Sequence, residues 1–550
     1  MITRILRAAF LVGLATIIIA APAQAQFQGQ FPNQGQGEGR ADDRAVAIQP
    51  YIEVSQVLSA ELSPGDEVLT FTQIAAGVDL NAQGRNSGAS VSLRYERNIG
   101  YGDAVDTDTL SGVARGYLSI VPRALTLEGG ALAARTRVDG GGGVSPNPLI
   151  AEDAESQIYS VYAGPSLATR IGAVDVTGVA RVGYNRFETE DALIDTNGDQ
   201  LDVFDESVTY SGQIRAGTRP GEPLPIGLGV TAGGFQEDIS NLDQRARDLY
   251  VRGDVTVPVT NNFAVVGGVG YEDVEISSRD ALLDADGNPV IGDNGRFVTD
   301  SSAPRQIAFD IDGFIWDVGV LWNPSSRTSL AATVGRRYDS TTYYGSFSYI
   351  PSERSAFNVS VYDGITGFGG VLNNSLAGLS TDFEAVRNPL TGDFGGLTIG
   401  GDGSGLVGTL GSVRSAAFRG RGVRASYQRQ IGRLTAAIGA GYDEREFIAA
   451  AGTVLAAADG ITDESYYVNG ALTRQIGERA SLQANAYATW FESGTNTGDV
   501  NGYGASAAYN RSLTDKLSAR AALAIDYFDS EFSAEDFAFA TALLGLRYDF

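Results

Sequence analysis

The chain has 550 residues and a formal net charge of −26, with 66 acidic residues against 40 Lys and Arg and with neither His nor Cys. So acidic a chain lacks the electrostatic footprint of a nucleic-acid-binding protein, and without Cys it has no disulfide bonds to stabilise it. The missing His excludes Ser-His-Asp catalysis and imidazole metal sites. We therefore expect no enzymatic activity and no cofactor. The 70 Gly, 24 Tyr and 24 Phe against one Met favour a twisted, aromatic-rich sheet over a helix bundle.

The first 25 residues have the pattern of a secretory signal peptide. A basic start is followed by an apolar core at residues 8–21 and by an A-x-A cleavage site that ends at Ala25. The apolar core is too short to span a membrane, and no later stretch has the roughly 18 apolar residues that a spanning helix needs. The sequence predicts export of the mature chain, which begins with a flexible Gln- and Gly-rich periplasmic lead-in over residues 26–45.

From residue 46 onward the sequence repeats one theme, a run of alternating apolar and polar residues followed by a break. A period of two predicts strands with unlike faces. We predict about 22 strands, within the 8 to 26 of most bacterial barrels. They cover residues 46–58, 68–83, 87–100, 109–121, 123–137, 155–170, 173–188, 207–219, 225–236, 247–258, 262–277, 306–322, 327–339, 341–350, 354–363, 413–431, 433–448, 463–476, 479–493, 499–512, 516–529 and 537–550.

The breaks between these strands alternate between short and long. The short breaks include 171–172, 259–261, 323–326, 351–353, 432, 477–478 and 513–515, and the long ones are 138–154, 189–206, 278–305, 364–412 and 449–462. Ser340 is a tight break where a long one is due. Short periplasmic turns and long outer loops are typical of outer-membrane barrels. The sequence thus predicts an all-β fold: one antiparallel up-and-down transmembrane β-barrel, residues 46–550, in the outer membrane of a Gram-negative bacterium, with both termini periplasmic.

The last strand has the features of an assembly signal. Between Ala540 and Phe550 the even positions are all apolar or aromatic, whereas the odd positions are smaller or, near the end, charged. An outer row that ends on Tyr548 and Phe550 suits a strand with lipid on one side and an aromatic belt at the membrane surface. This ending resembles the C-terminal strand that the barrel assembly machinery reads. This ending therefore predicts three partners: the barrel assembly machinery, outer-membrane lipid and lipopolysaccharide.

Alternation also assigns charged residues to the inner face of the barrel. The predicted lumen residues are Arg94, Glu96, Arg115, Arg181, Arg424 and Arg520. Two interpretations of these charges remain open. They form either a ladder that selects passing solutes by charge, or pairs of opposite charge that hold a wide barrel together.

The break at residues 364–412 is rich in Gly, Asn, Leu and Ser and has few charges. Loops of this length without secondary structure are usually functional or disordered. A low charge density is compatible with folding into the lumen. Two alternatives remain open for this break, a constriction inside the barrel and an ordinary outer loop.

Two acidic turns resemble the start of a calcium-binding loop, one with Asp195, Asn197 and Asp199 and the other with Asp284 and Asp286. An EF-hand needs Gly at its sixth position and Glu at its twelfth, and neither turn places a Gly there. Ordinary turn chemistry explains both segments without a metal. We predict no metal site, and these five residues are the candidates should calcium bind.

Residues 50–58, 70–80 and 90–101 resemble the start of outer-membrane proteins of the β-barrel porin 2 type, including relatives associated with exopolysaccharide and PEP-CTERM loci. The resemblance implies an outer-membrane barrel that passes or anchors exported polysaccharide. It supplies no catalytic residues.

Two functions follow from this sequence. The first is a passive, porin-like channel for hydrophilic solutes or exported polysaccharide, with a polar lumen and a constricting loop. The alternative is a structural or adhesive barrel without an open pore, whose acidic outer loops bind surface polymer. An active importer is disfavoured, because the lead-in is too short to form a plug domain ahead of the first strand.

Overall fold

The computed structural model describes residues 45–550 apart from 103, 105, 139–143, 146–154, 190–205, 293–295, 353, 382, 389, 391, 393, 400–416, 495–498 and 532–535. The signal peptide and all of the lead-in except Ala45 lie outside the described residues. So do the calcium candidates Asp195, Asn197 and Asp199. Among the residues that are described, no helix has the length and apolar character needed to cross a membrane.

Nearly all of the described chain is antiparallel strand. The strands are β1 (Ala45–Ser63), β2 (Val68–Gln83), β3 (Ser87–Tyr101), β4 (Thr107–Val121), β5 (Leu125–Val138), β6 (Val144–Ser145), β7 (Glu155–Ile171), β8 (Val174–Thr189), β9 (Glu206–Thr218), β10 (Gly227–Ile239), β11 (Gln244–Thr260), β12 (Phe263–Ser278), β13 (Gln306–Ser325), β14 (Thr328–Arg337), β15 (Ser340–Ser352), β16 (Ser355–Thr366), β17 (Glu384–Arg387), β18 (Phe394–Ile399), β19 (Phe418–Ile431), β20 (Leu434–Phe447), β21 (Thr462–Ile476), β22 (Ala480–Glu492), β23 (Val500–Ser512), β24 (Leu517–Ser530) and β25 (Phe537–Asp549). Helix α1 spans Phe368–Gly378, and short 3-10 turns span Asn241–Asp243 and Val454–Ala458.

The main sheet closes on itself. It has 23 strands, of which the two-residue β6 pairs with the end of β5, so that 22 strands form the ring. Each strand of the ring pairs with its neighbours in chain order, and β25 pairs with β1 from Tyr51↔Asp549 onward. The predicted all-β barrel and its strand number are therefore confirmed. Strands β17 and β18 form a separate two-stranded sheet.

The two faces of the strands differ as the alternation predicts. In β25, Leu544 is 69% exposed on the outer face, while its neighbour Leu543 is 2% exposed on the inner face. Tyr548 and Phe550 also face outward, with their rings in edge-to-face contact at 5.2 Å between centroids. An exterior covered with exposed Leu, Ile, Val and aromatic side chains is the surface of a barrel that is embedded in lipid.

The connections are sorted between the two ends of the barrel. One end, here called the short-turn end, has the connections 84–86, 122–124, 172–173, 219–226, 261–262, 326–327, 353–354, 432–433, 477–479 and 513–516. At the opposite end, the long-loop end, β5 and β8 finish and β7 and β9 start, and the described parts of the long connections 279–305, 367–417 and 448–461 leave and rejoin the ring there. Strand β1 starts and β25 finishes at the short-turn end, where the Phe550 N–H donates to the Pro50 carbonyl at 3.1 Å.

One tight turn at the long-loop end differs in position from the prediction. The chain turns at Tyr338 and Asp339, both with positive φ (53° and 52°), and Ser340 is already the first residue of β15. Two left-handed residues in succession form the hairpin turn that matches the twist of the strands, although non-glycine residues seldom adopt it. Inner-wall contacts hold it: the Tyr338 N–H donates to Glu272 Oε1 at 2.6 Å, and Tyr338 OH to Asp248 at 3.1 Å.

Several connections at the long-loop end pack against one another. Leu242, Ala281, Ala449 and Leu455 form a buried apolar cluster that joins the connections 240–243, 279–305 and 448–461. The Val454 N–H donates to the Asp280 carboxylate at 3.0 Å. These connections therefore form an ordered layer above strands β10–β13 and β20–β21.

Candidate functional site in the barrel lumen

The connection between β16 and β19 folds into the barrel. Residues 367–399, here called the lumen segment, contain helix α1 and the hairpin of β17 and β18. Leu372 and Leu376 of the helix are completely buried against the inner wall. Of the two alternatives for this break, the structure shows the inward-folded one, and the segment has secondary structure of its own. The strand predicted over residues 413–431 corresponds to β19, which begins at Phe418. Residues 413–416 lie outside the described residues.

Apolar side chains fix helix α1 to one side of the ring. Phe368, Leu372 and Leu376 recur every four residues, so they share one face of the helix. This face belongs to the same buried cluster as Ile158 of β7 and Phe187 of β8. Burial of one such side chain stabilises a structure by about 1.5–3 kcal/mol. The apolar contact therefore contributes to holding the helix on this wall.

A carboxylate of the wall caps the helix. Glu237 of β10 is completely buried, and its oxygens accept hydrogen bonds from the N–H groups of Gly367 (3.1 Å), Gly369 (3.0 Å) and Gly370 (3.0 Å). The N-cap residue, Gly367, has no side chain for this purpose. The first N–H groups of a helix lack partners within it and carry partial positive charge. Glu237 supplies the missing acceptors.

The cap depends on the glycines. A Cβ at Gly369 would overlap the Ser207 Oγ, the Asn185 Nδ2 and the Glu237 Oε1 atoms. A side chain at position 369 would therefore displace these hydrogen-bonded wall side chains or the helix itself, and glycine avoids this conflict. One turn later, Asn373 Nδ2 donates to Asn185 Oδ1 at 3.0 Å and to Thr209 Oγ1 at 3.1 Å. These polar contacts prevent the helix from sliding along its own axis, in addition to holding it against the wall.

The rest of the lumen segment reaches other parts of the wall. Arg387 donates to Ser92 Oγ of β3 at 3.1 Å and to Ser111 Oγ of β4 at 2.9 Å. The Arg387 carbonyl accepts a hydrogen bond from Asn485 Nδ2 of β22 at 3.3 Å. Leu390 joins an apolar cluster with inner-wall residues of β1, β2 and β23–β25.

Helix α1 also makes a contact across the ring. Arg424 Nη1 of β19 donates to Ser375 Oγ of the helix at 3.3 Å. The helix rests on β5 and β7–β9, and β19 lies on the opposite side of the ring in strand order. The lumen segment therefore touches opposing walls and narrows the lumen.

All six predicted lumen residues face inward, and each is close to a group of opposite charge. Arg94 lies 3.0 Å from both Glu53 and Glu96. Arg115 and Arg181 share Glu128, at 2.9 Å and 2.8 Å. Arg424 lies 2.9 Å from Asp443, and Arg520 lies 3.6 Å from Glu53. This geometry favours paired charges that hold the wall together over a ladder of exposed charges.

One pair of these contacts bridges the junction between the first and last strands. Glu53 of β1 is buried between Arg94 of β3 and Arg520 of β24. Near the short-turn end, the Arg547 guanidinium of β25 lies 3.6 Å from the ring centroid of Tyr51 of β1. Ionic and cation–π contacts therefore reinforce the backbone pairing that closes the barrel.

Arg115, like Arg424, also contacts the lumen segment. Arg115 Nε donates to the Leu379 carbonyl at 3.3 Å and its Nη2 to the Ala377 carbonyl at 3.1 Å. These carbonyls lie at the C-terminal end of helix α1, where a cation is favourable. The helix thus has Glu237 at its N-terminus and Arg115 at its C-terminus, each complementary to the helix dipole.

Strands β14–β16 leave part of the inner wall uncovered. Ser329, Ser346 and Ser360 face inward and are exposed. By contrast, Ser90 and Ser160 on the wall beneath the lumen segment are buried. The segment therefore covers the wall unequally and leaves water access along β14–β16.

The calcium candidates Asp284 and Asp286 lie in a turn of the 279–305 connection. The Asp284 carboxylate accepts hydrogen bonds from the N–H groups of Asp286 and Asn288, both at 2.9 Å. These bonds lower the pKa of Asp284. Among the residues that the structure describes, no group of three or more His, Cys, Asp or Glu is arranged to hold a metal ion.

The residues predicted from the sequence did not include Glu53, Glu128, Glu237, Asn373 and Arg387. Parity would have assigned Glu53 to the inner face, because it alternates with the outward Ile52 and Val54. The others depend on strand register and on the fold of the lumen segment.

These features define a class, that of large membrane β-barrels with an ordered segment inside the lumen. No protein-family model matches the chain, and no curated protein matches it. Among solved structures, the chain is similar to the FrpB iron transporter from Neisseria meningitidis (F3-3 variant), with 11% identity, a TM-score of 0.41, and coverage of 92% of this chain and 82% of that one.

The chain is also similar to the closed form of the ferric-catecholate import receptor Fiu from E. coli K12. The identity is 12% and the TM-score 0.45, over 91% of this chain and 81% of the receptor. A third similar structure is the siderophore receptor PirA from Acinetobacter baumannii, with 9% identity and a TM-score of 0.39 over 92% of this chain and 81% of that one. At these values the comparisons transfer no ligand and no activity to this chain.

Proposed function

We propose that this protein is an outer-membrane channel for small hydrophilic solutes, constricted by the lumen segment. The observation that carries the proposal is the fold of residues 367–399 inside a ring whose inner face is polar. Wide barrels with a polar inner face hold an aqueous channel, and a segment fixed inside such a barrel sets its width. Solutes pass by diffusion, without a cofactor or an energy source.

The outer membrane is the proposed location for two reasons. The sequence begins with the pattern of a signal peptide, and the exterior of the barrel is apolar with aromatic residues at its end, including Tyr548 and Phe550. In this arrangement the short-turn end and both ends of the barrel chain face the periplasm. The long-loop end then faces outward, where lipopolysaccharide and surface polymers lie.

The contacts of the lumen segment determine how the channel works. The lumen segment contacts the wall on both sides of the ring, through Glu237 on one side and Arg424 on the other. These contacts hold the segment in one position. The width of the channel is then a fixed property of the folded protein. Small solutes pass beside the segment. A polysaccharide strand, the larger solute that the family resemblance implies, requires the segment to move.

Conductance in a planar bilayer tests the proposal. The refolded mature protein is compared with a variant in which residues 368–412 are replaced by a short Gly-Ser linker. We expect steady single-channel conductance in the wild type. In the variant the conductance should be roughly several-fold higher, because the constriction is gone. A matched control shortens the outer hairpin at residues 282–298, which lies outside the barrel, and should leave the conductance unchanged.

Two outcomes would contradict the proposal. If neither the folded wild type nor the linker variant conducts, the barrel has no open pore. The alternative of a structural or adhesive barrel with polymer-binding outer loops would then hold. If both conduct equally, the barrel is a channel but the lumen segment is not its constriction.

A further inference from the structure

The uncovered part of the inner wall has a distinct chemistry. The inward-facing residues along β14–β16 include Ser329, Thr333, Ser346, Ser348, Asn358 and Ser360, here called the hydroxyl strip; Ala331 and Tyr344 share the same face between them. Strand register brings them together, because Ser329 pairs with Ser348, Ser346 with Ser360, and Ser348 with Asn358. None of the six is charged, although Asp and Glu together with Lys and Arg account for 19% of the whole chain.

The charged inner-wall residues near the hydroxyl strip are engaged by partners. At the long-loop end of the strip, Arg337 lies 3.0 Å from Asp248 and 2.7 Å from Glu272. Beside Ser360 on the next strand, Arg424 lies 2.9 Å from Asp443. Opposite charges at these distances weaken each other's field at longer range. The Arg424–Asp443 pair is balanced, whereas Arg337 faces two carboxylates, which leaves one formal negative charge at the long-loop end of the strip. The strip itself presents uncharged hydroxyl and amide groups to water.

The wall beneath the lumen segment differs from the hydroxyl strip. Beneath the lumen segment, the inward polar residues are buried, among them Ser90, Arg94 and Ser160. Ser90 Oγ donates to the Thr381 carbonyl of the segment at 3.1 Å. The segment occupies this side of the lumen, so the space that remains for solutes is off-centre.

We infer that solutes cross the barrel along the hydroxyl strip, and that the channel takes neutral polyhydroxylated solutes of the size of mono- and disaccharides. This inference rests on the proposed channel function and adds the path and the solute class. Serine, threonine and amide groups both donate and accept hydrogen bonds, so they replace the water around sugar hydroxyls as these slide past. A strip without charged side chains offers no ion pair to a charged solute, so it gives neutral solutes no disadvantage.

The absence of Cys from the chain allows a direct test of the path. The variants Ser346→Cys and Ser360→Cys place one thiol on the strip, and Ser59→Cys is the matched control. Ser59 faces the inner side of β1, is buried, and shares a hydrogen bond with Thr541 of β25, so it does not belong to the hydroxyl strip. All three variants are checked for folding and are then treated with a bulky, membrane-impermeant thiol reagent while single channels are recorded.

We expect the reagent to lower the conductance of the Ser346→Cys and Ser360→Cys channels to about half, because the adduct occupies part of the path. The Ser59→Cys channel should be unaffected. A block in Ser59→Cys without a block in the two strip variants would overturn the inferred path. So would strip thiols that react fully, by mass spectrometry, while the conductance stays constant.

Selectivity tests the solute class in the same preparation. The reversal potential in a salt gradient should lie close to zero, and vesicles should swell faster in glucose than in glucosamine or gluconate of equal osmolality. A strong preference for either charged sugar would overturn the solute class while leaving the channel function intact. Absence of conductance and swelling in the folded wild type would instead overturn the channel function itself, and the inference with it. The two failures are thus distinguishable.

Discussion

Glu237 and Gly369 are 132 residues apart in sequence, yet the carboxylate of the first accepts a 3.0 Å hydrogen bond from the N–H group of the second. One residue belongs to the barrel wall and the other to the helix that lies inside the lumen. The contact makes the wall an N-terminal cap for the helix. Without this contact, helix α1 could take many positions inside the lumen. The contact therefore fixes it in one position.

We predict that Glu237→Ala releases helix α1. The substitution leaves three buried N–H groups without acceptors, and its cost is on the order of 3 kcal/mol. Single-channel recordings should show larger and noisier openings, and limited proteolysis should cut the lumen segment faster than in the wild type. Glu237→Gln, which keeps the shape but loses the charge, should lie between the two.

Glu478→Gln is the control, because Glu478 lies exposed in a turn at the short-turn end. It should behave as the wild type in both assays. If Glu237→Ala conducts as the wild type does and resists protease equally, the carboxylate does not hold the segment.

A second prediction concerns the close approach of the helix to the wall. In Gly369→Ala, the new methyl group would overlap Ser207 and Asn185, so the first turn of the helix must move away from β8 and β9. Gly378→Ala is the matched control in the same helix, since a Cβ there meets nothing within 4 Å. Helix propensity favours Ala over Gly in both cases.

The two substitutions should therefore have opposite effects. The temperature of unfolding in detergent should fall for Gly369→Ala and should stay level or rise slightly for Gly378→Ala. Equal behaviour would show that the first turn has room for a side chain and that the wall does not constrain it.

The barrel itself followed from local sequence, but the lumen segment did not. Alternation in residues 537–550 is visible without any partner strand, because the lipid environment and the lumen impose opposite polarity on successive residues. Helix α1 has its apolar residues Phe368, Leu372 and Leu376 at helical spacing. The glycines at its start obscure this signal, since Gly is a poor helix former.

Contacts between distant strands are the part that sequence could not supply. The partner of Gly369 is a glutamate of β10, and only the three-dimensional fold brings the two together. The same holds for the turn at Tyr338 and Asp339. Two non-glycine residues adopt positive φ there because inner-wall carboxylates of β11 and β12 hold Tyr338, and local sequence contains no sign of those contacts.

Closure of the barrel gives a third prediction. Glu53→Ala removes the carboxylate shared by Arg94 and Arg520, all inside the wall. Breaking a buried pair from one side typically costs about 3–5 kcal/mol. The midpoint of urea unfolding in lipid vesicles should fall accordingly. Asp108→Asn is the control: Asp108 pairs with Arg97 at 2.8 Å, but both are exposed, so the midpoint should not change measurably.

Protonation of Asp284 should open its turn. Hydrogen bonds from the N–H groups of Asn288 and Asp286 lower the pKa of this carboxyl below its ordinary value of 3.8. A group with a lowered pKa contributes stability above its ordinary value and loses it as the pH falls through the lowered one. Amide exchange at Asp286 and Asn288, corrected for intrinsic rates, should therefore lose protection at acid pH. Asp284→Asn should remove this pH dependence; if it persists, another group controls the turn.

The orientation of the strands in lipid gives the last prediction, which compares two exposed leucines. Leu544 is 69% exposed on the outer face of β25, and Leu283 is 53% exposed in the outer connection 279–305. Leu544→Arg places a charge in the apolar band and should cost about 2–4 kcal/mol in vesicles, the usual penalty for Arg near the middle of a bilayer. The new side chain of Leu283→Arg lies in water, so this substitution should not change the stability. Equal effects of the two substitutions on the urea midpoint would show that the outer face of β25 does not meet lipid.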